Sequence, residues 1–166
     1  MERQGLIERS EGRTTKDVTY VTTAFANGLQ AIVFELGKWA HQNIDAEVTL
    51  DNLDAKLLMW NMRRKVDSAA LPPKRQSVVQ FIYPELPPEE QNYWLVAKPG
   101  IPVDLCLIDP GHDVNLYITA DLHAMASAWI GKSSLRSEIE KEKIKLIGDR
   151  VLANSIEDWM VRSAYA

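Results

Sequence analysis

The chain has few of the residues that usually carry covalent chemistry. In 166 residues it has one cysteine, Cys106, and three histidines, His41, His112 and His123. A lone cysteine excludes an intrachain disulfide, and its place inside an apolar run reads as a small buried hydrophobe rather than a reactive thiol. There is no paired-cysteine zinc spacing, no glycine-rich phosphate loop and no Gly-x-Ser-x-Gly elbow. His112 lies beside Asp109 and Asp113, but Asp109-Pro-Gly-His-Asp113 is the residue set that a tight turn requires. His41 and His123 have no cysteine or carboxylate at a spacing that makes a nucleophile pair. The expectation is a protein that is not an enzyme, with no catalytic residue, metal or cofactor.

No apolar run approaches the roughly 18 residues of a membrane span, and no basic-then-apolar leader opens the chain. That leaves no membrane partner and makes the cytoplasm the expected compartment. A net charge of −4 argues against the basic stripe of a nucleic-acid binder, while 46% hydrophobic and 25% charged residues are ordinary for a globular chain. The length suits one sizeable core with an appendage.

The chain is richest in strand signals between Ser77 and Gly148. Runs at 77–83, 92–98, 103–108 and 113–119 each end in turn chemistry, which predicts an antiparallel meander. Alternation puts Val103, Leu105 and Leu107 on one face, and Val114, Leu116 and Ile118 on the next strand's matching face. The covering helices are expected at 121–131, 134–142 and 150–161, with a fifth, edge-type strand at 143–148. Glu138, Glu140 and Glu142 read as a solvated helix face. The stiff loop 84–91, Pro-Glu-Leu-Pro-Pro-Glu-Glu-Gln, reads as an acidic rim.

Upstream, 5–9 and 18–22 read as a hairpin whose charges cancel, joined by the loop 10–17. An amphipathic helix follows from Ala24 to about Gln42, capped by Thr22 or Thr23, with Phe25, Leu29, Ile32, Val33, Leu36 and Trp39 along one stripe. A stripe that wide must be covered by the chain's own domain or by a second copy, and self-association is the favoured expectation. The segment 41–49 is the expected hinge. A second helix, capped by Thr49 and running to about Val66, is expected to turn Leu50, Leu53, Leu57 and Met62 inward. The cations Arg63, Arg64 and Lys65 then complement its dipole. Five tryptophans read first as core.

Several motifs together have a familiar order. They are Val103-Asp-Leu-Cys-Leu-Ile-Asp-Pro-Gly111, Asp113-Val-Asn-Leu-Tyr-Ile-Thr-Ala-Asp-Leu122, Trp129-Ile-Gly131, Leu36-Gly-Lys-Trp-Ala40 and Leu58-Met-Trp-Asn-Met-Arg-Arg-Lys-Val-Asp67. The chain resembles HxlR-type bacterial transcriptional regulators that carry a sterol-carrier-protein-like domain behind a winged helix. The resemblance implies a mixed α/β (α+β) fold in which an antiparallel-rich five-stranded sheet is covered by helices. It further implies that residues 1–48 are a wing hairpin and dimerisation helix and that 49–166 bind a lipid-like or other apolar small molecule. Leu105, Leu107, Leu116, Ile118, Met125 and Trp129 would line that site, with Trp159 near the closing helix. A slip of one residue would instead turn Cys106 and Tyr117 inward. A homodimer through residues 24–42 would be the family arrangement, and DNA binding would be weak because Met1 stands where the recognition helix should already have ended. Phe25 departs from the family, falling near a position where glycine is common. The alternative reading is transcriptional regulation through DNA binding or by dimerising with a complete regulator.

Overall fold

The computed structural model describes residues 1–11, 18–44, 50, 53–73 and 75–164. These fall in two compact units, Met1–Ile44 and Asp45–Ala166. The boundary expected at residue 48, most of the hairpin loop, half of the hinge and the Thr49 cap lie outside the described residues.

In the first unit, β1 (Ile7–Glu11) pairs antiparallel with β2 (Val18–Thr22), placing Arg9 opposite Tyr20. Thr23 ends the hairpin and starts the helix. Its hydroxyl donates to the Gly5 carbonyl at 2.6 Å and accepts from the Ala26 N–H at 3.2 Å, the side-chain capping that hydroxyl residues supply at a helix start. In place of one continuous helix there are two, α1 (Ala24–Gly28) and α2 (Gln30–Asn43). The junction falls where glycine lowers helix propensity and where the Leu29 N–H bonds back three residues to the Ala26 carbonyl. Neither helix contains a buried residue.

The second unit is a five-stranded mixed sheet with helices packed on it. The strands are β3 (Ser77–Ile82), β4 (Asn92–Ala97), β5 (Asp104–Cys106), β6 (Leu116–Ala120) and β7 (Ile144–Gly148). The order across the sheet is β5-β4-β3-β6-β7. Four strands were expected to follow one another as a meander, but β6 lies parallel to β3, with Phe81 beside Ile118. The chain therefore runs out to β5 at one edge and returns across the sheet to β6. Asn115 fixes the landing point. Its side-chain oxygen accepts from the Val78 N–H, its own N–H donates to the Val78 carbonyl, and its carbonyl accepts from the Asp149 N–H at 2.8 Å.

The return also corrects the predicted faces. Leu116 and Ile118 are buried on the helix-covered face, and Leu105, opposite Leu95, packs there too. Val114 lies outside β6 and packs on the other face with Cys106, Val78, Trp94 and Val96. Leu107 lies beyond β5 and is 43% exposed. The strand of six residues expected at 103–108 is thus only three long, because the chain must turn there to cross back.

The covering helices are α3 (Ala55–Arg63), α4 (Leu122–Trp129), α5 (Leu135–Glu140), α6 (Arg150–Asn154) and α7 (Ile156–Trp159). Asp54, Asp121, Ser134 and Asp149 each cap a helix start by accepting backbone N–H groups. Because Asp54 sets where α3 begins, Ala55, Leu58, Met59 and Met62 form its buried stripe. Leu57, expected inward, is 58% exposed. The helix expected over 150–161 is interrupted at Ser155, whose hydroxyl donates to the Val151 carbonyl. Met59, Phe81, Leu116, Ile118, Met125, Leu152 and Trp159 make up the centre of one continuous core. No helix among the described residues is long and apolar enough to cross a membrane.

Glu138 corrects the expectation of a solvated face. It is 4% exposed and accepts from the Lys141 ammonium at 3.1 Å. Burial alone would push its carboxyl up, but the Lys141 hydrogen bond and the nearby Lys143 more than reverse this, leaving it below the usual carboxylate range. A group depressed in the folded state adds stability above its unfolded value of about 4.3 and loses it as pH falls. Glu138→Gln is therefore expected to lower the urea midpoint at pH 7, with the difference from the wild type closing as pH falls below about 4.3.

Gly148 supplies a second expectation. It has φ of 135°, and a Cβ there would stand 2.3 Å from the Asn115 carbonyl oxygen. Gly148→Ala should cost at least about 2 kcal/mol in urea denaturation, because both strain and a backbone clash oppose it.

Candidate ligand site

The seven positions expected to line a site do not surround one common space. Leu116, Ile118 and Met125 are each 0% exposed and Trp159 is 1% exposed, all within the packed core. The Trp159 indole N–H donates to the Leu152 carbonyl at 2.9 Å, so even its polar edge is used. Leu105 and Trp129 are half-buried against the same core. Of the seven, only Leu107 lines the cavity that opens beside the sheet.

That cavity has a volume of about 430 Å³, within the usual range of roughly 300–1,000 Å³ for small-molecule pockets. Its existence follows from the shortness of β5. Asp104–Cys106 pairs with Trp94–Val96 only, so the Asn92–Tyr93 end of β4 has no strand beside it on that side. The start of α3, the proline loop 84–91 and Leu107 border the gap. Leu53, Ala55, Leu86 and Tyr93 are its buried or half-buried wall, together with Asn92. Asp54, Lys56, Glu89 and Glu90 are its exposed rim.

Tyr93 is the deepest polar group. It is 4% exposed and stands edge-on to Tyr83, with ring centroids 5.9 Å apart and planes at 65°. The Tyr83 hydroxyl is fully enclosed and donates to the Met59 sulfur at 3.2 Å. The Tyr93 hydroxyl has no hydrogen-bond partner among the described residues. Burial pushes the Tyr93 phenol up, and the carboxylates of Glu90 and then Asp54 push it further. It stays protonated at any physiological pH.

No group of three or more histidine, cysteine or acidic side chains suited to a metal ion occurs among the described residues. The Asp109 turn behaves as its residues predict: the carboxylate accepts from the Gly111 N–H at 2.8 Å, with Gly111 at φ of 70°. Cys106 is half-buried, and burial followed by Asp104 pushes its thiol up. That environment disfavours the thiolate.

The acidic rim was legible in the loop 84–91, but its wall was not. Tyr93 and Leu86 become lining residues only because β5 stops after three residues, which local patterning does not announce. Asp54 was hidden by the more N-terminal Thr49 as a competing cap.

No family model matches the chain, and no curated protein matches it. Among solved structures, it is similar to the stereoselective inverting sec-alkylsulfatase Pisa1 from Pseudomonas sp. That match has a TM-score of 0.52 and 12% identity, covering 69% of this chain and 17% of that one. A sterol carrier protein 2-like protein from Aedes aegypti aligns with a TM-score of 0.42 and 13% identity, over 62% of this chain and 93% of that one. A ubiquinone synthesis protein aligns at 0.43 and 18% identity, over 61% and 85% respectively. The alkylsulfatase likeness is one of fold and brings no chemistry with it. The described chain is a mixed α/β fold with a five-stranded sheet covered by helices.

Proposed function

We propose that the second unit binds an apolar or amphipathic small molecule without chemical conversion, in the cavity between α3, the proline loop and Leu107. The observation that carries this reading is an open space of about 430 Å³ whose lining joins the apolar Leu53, Ala55, Leu86 and Leu107 to a charged rim, with a tyrosine hydroxyl that has no partner among the described residues. Apolar walls with a few placed polar groups are the usual make-up of ligand pockets. On this reading the packed residues Leu116, Ile118, Met125 and Trp159 support the wall from behind, and Leu107 touches the ligand directly.

Native mass spectrometry of freshly purified protein is expected to find an added small-molecule mass that organic extraction removes. Leu107→Asp should abolish that mass while leaving the circular dichroism spectrum unchanged, since Leu107 is already partly in solvent. A bare mass, with no uptake of alkyl probes of any charge, would remove the reading.

The first unit favours a second copy of this chain as partner. Phe25, Ile32, Val33, Leu36 and Trp39 are between 56% and 65% exposed, and neither helix contains a buried residue. With Leu29 and Phe34, the stripe offers on the order of 800 Å² of exposed surface, about one partner's share of a standard interface. A lone hairpin and a helix of this length are each marginal in water, so mutual coverage is what would stabilise them. The transcriptional setting implied by the resemblance belongs to this proposal too, with the hairpin as wing and α2 as pairing helix. Its support is the order of these elements. The balanced hairpin charges favour pairing over duplex binding.

Sedimentation velocity should find a dimer at micromolar concentration, and Leu36→Glu combined with Trp39→Glu should convert it to monomer. A wild-type monomer at every concentration would rule out the pairing.

A further inference from the structure

The cavity's charge is unevenly divided. Among the described residues, three exposed carboxylates, Asp54, Glu89 and Glu90, stand on its rim with one cation, Lys56. Asp54 already accepts the Leu57 N–H at 2.9 Å as the α3 cap. Glu89 and Glu90 form no ion pair among the described residues. Their positions follow from the loop, where Pro87 and Pro88 lead into a short 3-10 turn, Pro88–Glu90, that puts the two glutamates in succession beside the opening. Below them lies Tyr93, 96% buried and with a hydroxyl that bonds to nothing described. The ring is buried while the hydroxyl faces the cavity, and a tyrosine placed with an apolar body inside and a polar tip outward usually bonds to whatever occupies the space in front of it. The hydroxyl is therefore available to a polar atom from outside the chain, beside the carboxylates of Glu90 and Asp54 on the rim.

The remaining wall is apolar apart from Asn92, whose side-chain oxygen already accepts from the Gln80 amide. Leu53, Leu86 and Leu107 have no polar side-chain atom to offer. A ligand that satisfies both parts has a hydrocarbon portion against the leucines and a polar end between Tyr93 and the glutamates. An ionised carboxylate at that end would meet two or three like charges at short range, and like-charge contact is a strong means of excluding a ligand. An ammonium would meet opposite charges there, with a tyrosine ring nearby, and aromatic rings attract cations as well.

We propose that the cavity takes amphipathic molecules whose polar end is a cation, of the alkylamine or quaternary ammonium class, and turns away free fatty acids. This rests on the reading of the cavity as a ligand site and goes beyond it by assigning the charge of the ligand. Lys56 is the one opposing group on the rim among the described residues. Its ammonium is outnumbered, and it reduces the selection without reversing it.

The test compares three probes with the same tail, namely decylamine, decanol and decanoate, together with butylamine, which has the charge but lacks the tail. Isothermal titration on the full chain at pH 7 and about 50 mM salt should rank decylamine tightest and decanoate weakest, about tenfold or more apart. Raising the salt to about 0.5 M should narrow that gap, since exposed charges are screened. The E89Q/E90Q variant, both of whose changes are at exposed positions, should narrow it at low salt while leaving the thermal midpoint unchanged. Decanoate binding as tightly as decylamine would overturn the charge assignment while leaving the cavity as a ligand site. Butylamine matching decylamine would overturn the amphipathic class. Failure of all four probes would remove the ligand-site reading itself. The salt series on wild-type protein decides the same question if the double variant does not fold.

Discussion

The parallel pairing of β3 with β6 is the constraint on which the rest of the second unit depends. Antiparallel neighbours can be joined by a tight turn, but a parallel neighbour requires the chain to travel back over the sheet. Here the journey is made by the segment between Cys106 and Leu116, and Cys106 and Val114, near its two ends, pack on the face away from the helices. Trp94, Val96 and Val78 are buried on that face, while the second unit's described helices pack on the other one. The same detour limits β5 to three residues. The cavity beside Tyr93 is thus a by-product of topology: a strand that must turn back early leaves its neighbour partly unpaired.

Asn115 is where that topology is secured. A single residue bonds β3 on one side and accepts from the start of α6 on the other, and the close approach of Gly148 depends on its carbonyl having no Cβ opposite it. Asp149, next in the chain after Gly148, is held below the usual carboxylate range, chiefly by the hydrogen bond from the Arg75 guanidinium and then by the Leu152 N–H. Polar contacts at this corner determine direction, and the apolar core behind them supplies the driving force.

The elements whose cause is local were legible in the sequence. The β1–β2 hairpin, the Thr23 cap, the strands at 77–82 and 92–97, the helix after Asp121 and the edge strand before Gly148 all follow from alternation, capping residues and turns. What could not be read were matters of long-range choice. Val114 looks like the first inward residue of a strand, yet it belongs to the crossing segment because Asn115 is held by Val78, 37 positions earlier. Leu57 looked inward because Thr49 offered an earlier cap than Asp54. Glu138 looked solvated because its partner Lys141 also looks like an ordinary surface charge. The lining of the cavity was hidden for the same reason, since it depends on where a strand stops rather than on what its residues prefer.

The edges of the sheet have a consequence for how copies of the chain can meet. An exposed strand edge is a ready template for another chain's backbone. β5 offers only three residues, too few to seed an added strand, and β7 is five residues long, ends at a glycine in a left-handed conformation and carries the exposed Lys145. The second unit is therefore poorly suited to polymerise through its backbone, even with Ile147 on the surface. Any contact between copies would fall to side chains, which can be closed off after two molecules, where an open strand edge would go on adding chains without limit.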